Sequence, residues 1–396
     1  MSTANYKKLA KRMMDIKYMS NAVSILHWDS KTYMPPKGIA QRGAQISILS
    51  RQIHELFVKP ENGKIIESCQ KQHEELSEVE NRNVELWKRE YDKSTKLPSE
   101  LVQKLSNQQV LTENLWEEAK ERSEFELVKP ELKKLVELTK EKAEKLDPEQ
   151  DQYDTLIDIY EPKVTADQIT RYFAPLKEAV IKLVKKCEDA CMSEATVIHP
   201  DYLRVECSQQ QQIEMSDFLI NFVGLNPEKS RIDTSEHPFT VGYANDVRIT
   251  THYLENDPMG SFYSVLHEAG HALYELNLPE EHLWTPVGDS VSLGVHESQS
   301  RFVENIVGKN PTFIEYYYPK VLDIIPGFRK KAVSIEQFVR AINFVRPSKI
   351  RIYADEVTYN LHIILRFEIE RDLFAGKISV DDLPQVWNEK MDKYLF

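Results

Sequence analysis

The sequence predicts a mainly α-helical protein with one small strand-forming region, and three observations carry that expectation. Only 12 glycines interrupt 396 residues, and Lys/Glu-rich segments run from Ser77 to Asp147. Apolar residues recur at three- and four-residue intervals, the period of a helix that buries one face. One stretch departs from this: between Val241 and Tyr253, Val247, Ile249, Thr251 and Tyr253 alternate with Asp246, Arg248, Thr250 and His252. A period of two is that of a strand.

Taken in order, the elements are set by their punctuation. The N-terminal run through Leu9-Ala-Lys-Arg-Met-Met-Asp lacks the apolar core of a signal peptide, and no run reaches membrane-spanning length. Helix breaks fall at Met34-Pro35-Pro36-Lys37-Gly38, Leu146-Asp147-Pro148, His199-Pro200, Asn226-Pro227 and Pro326-Gly327. None is long enough for a flexible linker, and no internal repeat is present, so one large domain over residues 1–396 is expected. Between Ser99 and Lys120, Leu101, Leu105, Val110 and Leu115 are spaced for the packed side of a helix, with Glu100, Lys104, Glu113 and Glu118 on its solvated side. Asp257-Pro258 supplies an N-cap followed by proline in the first helical turn, and Pro279 stops the helix that follows. Strand, turn and this helix form one continuous unit.

Composition narrows the function classes. A net charge of −12 argues against a nucleic-acid footprint and suits a soluble protein. Four cysteines, Cys69, Cys187, Cys191 and Cys207, are few for the length and fit a reducing cytoplasm better than a disulfide scaffold. Cys187 and Cys191 share a helical face, but no nearby His or Cys completes a metal set.

The chemistry concentrates in His267-Glu268-Ala269-Gly270-His271. On a helix, residues four apart stand on one face, so His267 and His271 can each offer a ring nitrogen to one metal ion. Glu268 sits beside the pair and can take a proton from a water that the ion acidifies. This order of residue types points to a zinc peptidase. Two histidines are costly in so apolar a helix without a partner, and Gly270 in its middle costs roughly 1 kcal/mol against alanine, which predicts a close approach there. A catalytic zinc needs a third protein ligand, sought among Glu275, Glu280, Glu281, His282, Asp289, His296 and Glu297. Glu297 is chosen, because His296-Glu297-Ser298-Gln299 opens an amphipathic segment through Phe302, Ile306 and Val307 that can fold back as an antiparallel helix. Further on, Arg351, Asp355 and Tyr359 recur every four residues, with His362 three beyond, as a polar stripe on an apolar helix. A guanidinium grips a terminal carboxylate through two parallel hydrogen bonds, which makes Arg351 the substrate-carboxylate candidate; the alternative is an internal Arg351–Asp355 ion pair. Tyr359 either donates to a tetrahedral oxyanion or simply packs. The Asp246–Thr250 strand can pair with an extended peptide, while Arg248 can instead brace Asp246 or Glu268. His237 lines the pocket or supports a neighbouring group, and His27, His54, His73 and His199 read as structural.

These residues resemble the carboxypeptidase Taq family of zinc metallocarboxypeptidases. The resemblance spans the chain and rests on His237-Pro238-Phe239, Asp246-Val247-Arg248-Ile249-Thr250, His267 to His271, His296-Glu297-Ser298-Gln299 and Ile350-Arg351-Ile352-Tyr353-Ala354-Asp355, with Trp28-Asp29 and Met34-Pro35-Pro36 near the start. It implies zinc on His267, His271 and Glu297, with Glu268 as base, and an almost wholly helical homodimer with a small sheet beside a deep groove. Residues 1–200 would then form framework and groove cap, and 201–396 the catalytic part. The family's Gly-x-x-Gln-Asp-x-His-Trp pattern has no match here, so a C-terminal part of the family fold is expected to be missing. The expected function is a cytoplasmic zinc carboxypeptidase that releases single C-terminal residues from peptides, with cobalt or manganese as possible substitutes. The alternatives are a zinc endo-oligopeptidase of related helical fold, or a shortened, weakly catalytic homologue that persists as a metal-binding or interaction protein.

Overall fold

The computed structural model describes residues 3–193, 200–351 and 354–396. In chain order the helices are α1 (Ala4–Lys31), α2 (Ile39–Phe57), α3 (Pro60–Lys71), α4 (Glu78–Lys96), α5 (Ser99–Arg122), α6 (Phe125–Leu146), α7 (Gln152–Tyr160), α8 (Ala166–Ser193) and α9 (Gln209–Val223). Strands β1 (Ser230–Thr234), β2 (Thr240–Tyr243) and β3 (Asp246–Thr251) come next. The chain then returns to helix with α10 (Pro258–Leu276), α11 (Leu293–Arg301), α12 (Pro311–Ile324), α13 (Pro326–Lys330), α14 (Ile335–Ile342), α15 (Glu356–Phe374) and α16 (Leu383–Leu395). The fold is mainly α with one small sheet, as the sequence predicts. His199, Ile352 and Tyr353, which the sequence reading also used, lie outside the described residues.

Two compact units emerge, one from Met1–Ser94 with Ile198–Ile342, the other from Thr95–Val197 with Asn343–Phe396. In the first, α10 is the central element. Its Phe262, Val265 and Leu266 pack on Met215 and Leu219 of α9 and on Phe313, Ile314, Tyr317 and Val321 of α12. Its Ala269 and Ala272 meet Val247 and Ile249 of β3 and Leu225. Each of the larger apolar side chains removed from water contributes roughly 1.5–3 kcal/mol, so α10 is held on two sides and presents its polar stripe in a fixed direction. A second cluster joins Tyr6, Leu9 and Met13 of α1 to Ile65, Ile66 and Cys69 of α3 and to Val84 and Trp87 of α4. In the other unit, Val180 and Val184 of α8 pack on Leu361, Leu365 and Ile369 of α15 and on Met391, Tyr394 and Leu395 of α16.

The sheet has the order β1-β3-β2, with β1 parallel and β2 antiparallel to β3. The sequence reading expects one strand across 241–253; the structure has a hairpin, in which Tyr243 pairs with Asp246 and Ala244 takes φ 56°. Gly242, at φ 121°, lies so close to the Asp246 carbonyl that no Cβ fits. On α5 the packed side runs through Leu101, Leu105, Thr112 and Ala119, while Val110 is exposed. Nine residues past Leu101, Val110 has rotated to the opposite side of a helix that turns 100° per residue.

Candidate metal and active site

The Asp257 carboxylate accepts the Gly260 amide at 3.1 Å and Pro258 opens the first turn of α10, as the sequence reading expects. The apolar faces are covered, so His267, His271 and Glu268 are left on the remaining side. Gly270 explains how a second helix comes close enough to meet them. A Cβ there would stand 2.6 Å from the Gln299 carbonyl oxygen and 2.6 Å from Ser300 Cα, both backbone atoms of α11. The close approach predicted at this glycine is therefore made by α11, which carries Glu297.

Ligand atoms of His267, His271 and Glu297 all lie within 4.8 Å of one another. Glu297 Oε2 is 3.6 Å from His267 Nε2 and 3.4 Å from His271 Nε2. Donors about 2.0–2.2 Å from a tetrahedral ion are separated by roughly 3.3–3.6 Å, so the spacing and the His-His-Glu donor chemistry fit a divalent cation. Burial pushes the Glu297 carboxyl up, but the His271 and His267 rings and the Ser300 hydroxyl outweigh it and hold it at about 2. It is therefore an anion at neutral pH. Glu280, Glu281, His282 and Asp289 are not part of this group. Asp289 is engaged instead by Lys17 of α1.

Glu268 is 6 % exposed. Burial raises its pKa above the usual carboxylate value, against the lowering effect of Thr240 and the two histidines. The Thr240 hydroxyl, on β2, donates to Glu268 Oε2 at 2.5 Å. The hairpin thus pins one oxygen of the carboxylate. Thr240 is invisible to the sequence reading, because its partner lies 28 residues away across a turn.

Behind the ligand set stands a second tier made of Glu275 and His296, weighed above only as third ligands, and Glu304, which the sequence reading did not single out. His267 Nδ1 donates to Glu304 Oε2 at 2.8 Å, and Arg301 Nη1 donates to the same oxygen at 3.0 Å. His271 Nδ1 meets His296 Nδ1, and His296 Nε2 lies 2.8 Å from Glu275 Oε1. Burial alone would push Glu304 up; the His267 hydrogen bond and the Arg301 charge hold it below its ordinary value. Glu304 belongs to a π-helical segment, Phe302–Val307, where the Gly308 amide reaches the Val303 carbonyl at 2.9 Å. This wider turn rotates the chain, so Phe302 and Ile306, expected on a packed face, are exposed while Val303 and Asn305 are buried. Glu304 lies seven residues past Glu297, about two helical turns, a spacing the sequence reading did not use.

Arg248 forks Asp246 with hydrogen bonds of 2.8 and 2.9 Å and rests its guanidinium 4.2 Å over the Trp28 ring. Among the alternatives the sequence leaves open, it braces Asp246 rather than Glu268. His237 is exposed, and its carbonyl accepts the Ser235 hydroxyl at 2.7 Å.

Arg351, Asp355 and Tyr359 belong to the other unit, and they do not share one helix as the four-residue spacing predicts. Asp355 is the N-cap of α15, accepting the Val357 and Thr358 amides at 2.9 and 3.0 Å. Arg351 therefore precedes the helix, and its Nη1 donates to the Tyr359 hydroxyl at 2.5 Å. The carboxylate of Asp355 is occupied by backbone amides, so the internal ion pair considered above gives way to an Arg351–Tyr359 contact. His362 is fully buried, and burial followed by the Arg366 charge lowers its pKa, which keeps the ring neutral.

Residues 7–396 match the model of the carboxypeptidase Taq (M32) metallopeptidases. The chain belongs to that family. It is 38 % identical to "Carboxypeptidase 1" of Bacillus subtilis, with 96 % of this chain and 75 % of that protein covered. Against "Thermostable carboxypeptidase 1" of Thermus thermophilus the identity is 37 %, covering 99 % of this chain and 78 % of the relative. Among solved structures, Trypanosoma cruzi metallocarboxypeptidase 1 superposes with a TM-score of 0.94 at 32 % identity, over 99 % of this chain and 78 % of that one. The protein is thus a metallocarboxypeptidase, a peptide hydrolase that uses a divalent metal, and no described helix is long and apolar enough to cross a membrane.

Proposed function

We propose that the resident metal is zinc, that His267, His271 and Glu297 hold it, and that Glu268 is the proton-transferring base. The convergence of the three donor atoms beside the buried Glu268 carries this reading. A zinc ion there supplies Lewis acidity, acidifying a water and polarising the scissile carbonyl. Glu268 would take a proton from the attacking water and pass it to the leaving amine. Thr240 restrains one carboxylate oxygen and leaves the other for proton transfer, and burial raises the affinity of the carboxyl for a proton.

Arg351 is assigned to the terminal carboxylate of the peptide and Tyr359 to the developing oxyanion. Their mutual hydrogen bond supports this by holding both side chains in one place before substrate arrives. Asp246, with Arg248 and His237, is assigned to the peptide chain through its side chains, since β3 is the central strand with β1 and β2 on its two edges and cannot add a peptide strand as the sequence suggested; the bracing of Arg248 orders the polar side chains of β3. A homodimer in the cytoplasm completes the reading, supported for the compartment by free, buried Cys69 and Cys207.

The test is hydrolysis of a blocked dipeptide and its C-terminal amide, with metal content measured on the same preparation. Stoichiometric zinc and cleavage of the acid alone are expected. Glu268→Gln should lower turnover by about 10²–10⁴-fold with zinc retained. Equal cleavage of acid and amide would shift the reading to an endo-oligopeptidase.

A further inference from the structure

The hydrogen bonds behind the metal-binding donors have a logic of their own. An imidazole that lends Nε2 to a cation has its lone pair there, so its Nδ1 must carry the proton and needs an acceptor. His267 and His271 both point Nε2 at Glu297 Oε2. Their Nδ1 atoms are met by two different devices. For His267 the acceptor is a carboxylate, Glu304 Oε2 at 2.8 Å, itself held by Arg301 at 3.0 Å.

For His271 the acceptor is another imidazole, and that contact fixes the protons along a chain. Two ring nitrogens in contact cannot both carry hydrogen. With the proton on His271 Nδ1, His296 Nδ1 is the bare acceptor, so the His296 proton sits on Nε2. That nitrogen lies 2.8 Å from Glu275 Oε1, an acceptor-only group. Glu275 stands one turn beyond His271 on α10, and His296 of α11 is inserted between them with its ring 4.6 Å from that of His271. Tyr274 also meets the His296 ring edge-on, with centroids 5.2 Å apart. The side chains of His296, Glu275 and Glu304 are only 18 %, 15 % and 15 % exposed, so water competes poorly for these bonds.

We infer that Glu304 and the His296–Glu275 pair are positioning residues of the metal centre: each locks one ligand imidazole in the Nδ1-protonated tautomer and aims its Nε2 lone pair at the cation. The inference rests on His267, His271 and Glu297 as the ligands. Groups in such places typically contribute 10–100-fold to metal affinity by orienting the ring and raising its basicity. The two ligands are supported independently, one by a direct charge and one through a neutral ring, so their losses should multiply.

The test uses the full chain stripped of metal, titrated with Zn²⁺ alone in competition with a chromophoric chelator, and with Co²⁺ for its visible spectrum. Glu304→Ala and His296→Ala should each weaken Zn²⁺ binding by about 10–100-fold and alter the Co²⁺ spectrum, with the apo protein melting as the parent does. His296→Gln should recover most of the affinity, since an amide can accept from His271 and donate to Glu275. The glutamine variants Glu304→Gln and Glu275→Gln preserve volume and carry the test if an alanine variant unfolds. Parental Zn²⁺ affinity in the alanine variants, while His271→Ala abolishes binding, overturns the positioning role. Parental affinity in His267→Ala and His271→Ala would instead overturn the ligand assignment beneath it.

Discussion

A buried carboxylate that must gain and lose a proton needs a neighbour that fixes its orientation without neutralising it. Thr240 fits that need: a hydroxyl donates one hydrogen bond and brings no charge. A lysine or arginine in its place would hold Glu268 ionised and depress its basicity. Thr240→Val keeps the shape of the side chain and the β-branching that suits β2, and removes only the donor. A hydrogen bond to a charged group contributes about 1.5–3 kcal/mol, so kcat should fall by roughly 10–100-fold with zinc content unchanged. Steady-state kinetics on a metal-saturated preparation would show it, and a loss of zinc in place of kcat would mean that Thr240 supports the helix and not the base. The same residue marks a limit of the sequence. His267, Glu268 and His271 were legible because helical spacing places them together. Thr240, Glu275 and Glu304 act across turns, so their partners could be found only once α10, α11 and the hairpin were in place.

The pairing of α10 with α11 is what turns three separate residues into one centre, and it depends on an absent side chain. At Gly270 the α11 backbone comes so close that an alanine Cβ would force it away by several tenths of an ångström. Gly270→Ala gains about 1 kcal/mol of helix propensity and loses about 1–3 kcal/mol to overpacking. The expected net result is a modest loss of stability and a clear loss of Zn²⁺ affinity, because Glu297 and His296 move with α11. Thermal denaturation of the apo protein beside Zn²⁺ titration separates the two effects; unchanged affinity would show that α11 shifts without carrying Glu297 away. At this scale the sequence announced α10 fully, through Asp257-Pro258 and Pro279. It did not announce β1, because Ser230-Arg-Ile-Asp-Thr is short and mixed in polarity and becomes a strand only by pairing with β3. Nor did it distinguish the helical spacing of Arg351, Asp355 and Tyr359 from a capped start, since an aspartate can continue a stripe or end it. Here Asp355 satisfies amides that would otherwise be orphaned at the N-terminus of α15.

Across the whole molecule, 63 acidic side chains outnumber 51 basic ones, so acid pH first relieves repulsion and then removes specific anchors. One such anchor, away from the metal centre, is Glu368. Lys177 of α8 donates to Oε1 at 2.6 Å, while Lys390 and Tyr394 of α16 each donate to Oε2 at 2.6 Å. One carboxylate therefore ties α15 to both helices around the Leu361, Leu365 and Ile369 core. Burial would raise Glu368, but the Lys177, Lys390 and Tyr394 hydrogen bonds outweigh it and hold the carboxyl at about 2, against 4.5 for a free glutamate. A depressed folded-state pKa contributes stability that is complete above the unfolded value and is lost as pH falls toward the folded one. The contribution is on the order of 3 kcal/mol at neutral pH and fades between about pH 4.5 and 2. Glu368→Gln should therefore destabilise the protein by about 3 kcal/mol or more at pH 7, since it also leaves two partly buried ammonium groups without their carboxylate. Comparing parent and variant isolates this site from every other carboxylate: urea unfolding at pH 7, 5, 4 and 3 should give a stability difference that is constant down to pH 5 and then shrinks. A difference that stayed constant through pH 3 would show that the charge of Glu368 is not what holds the three helices together.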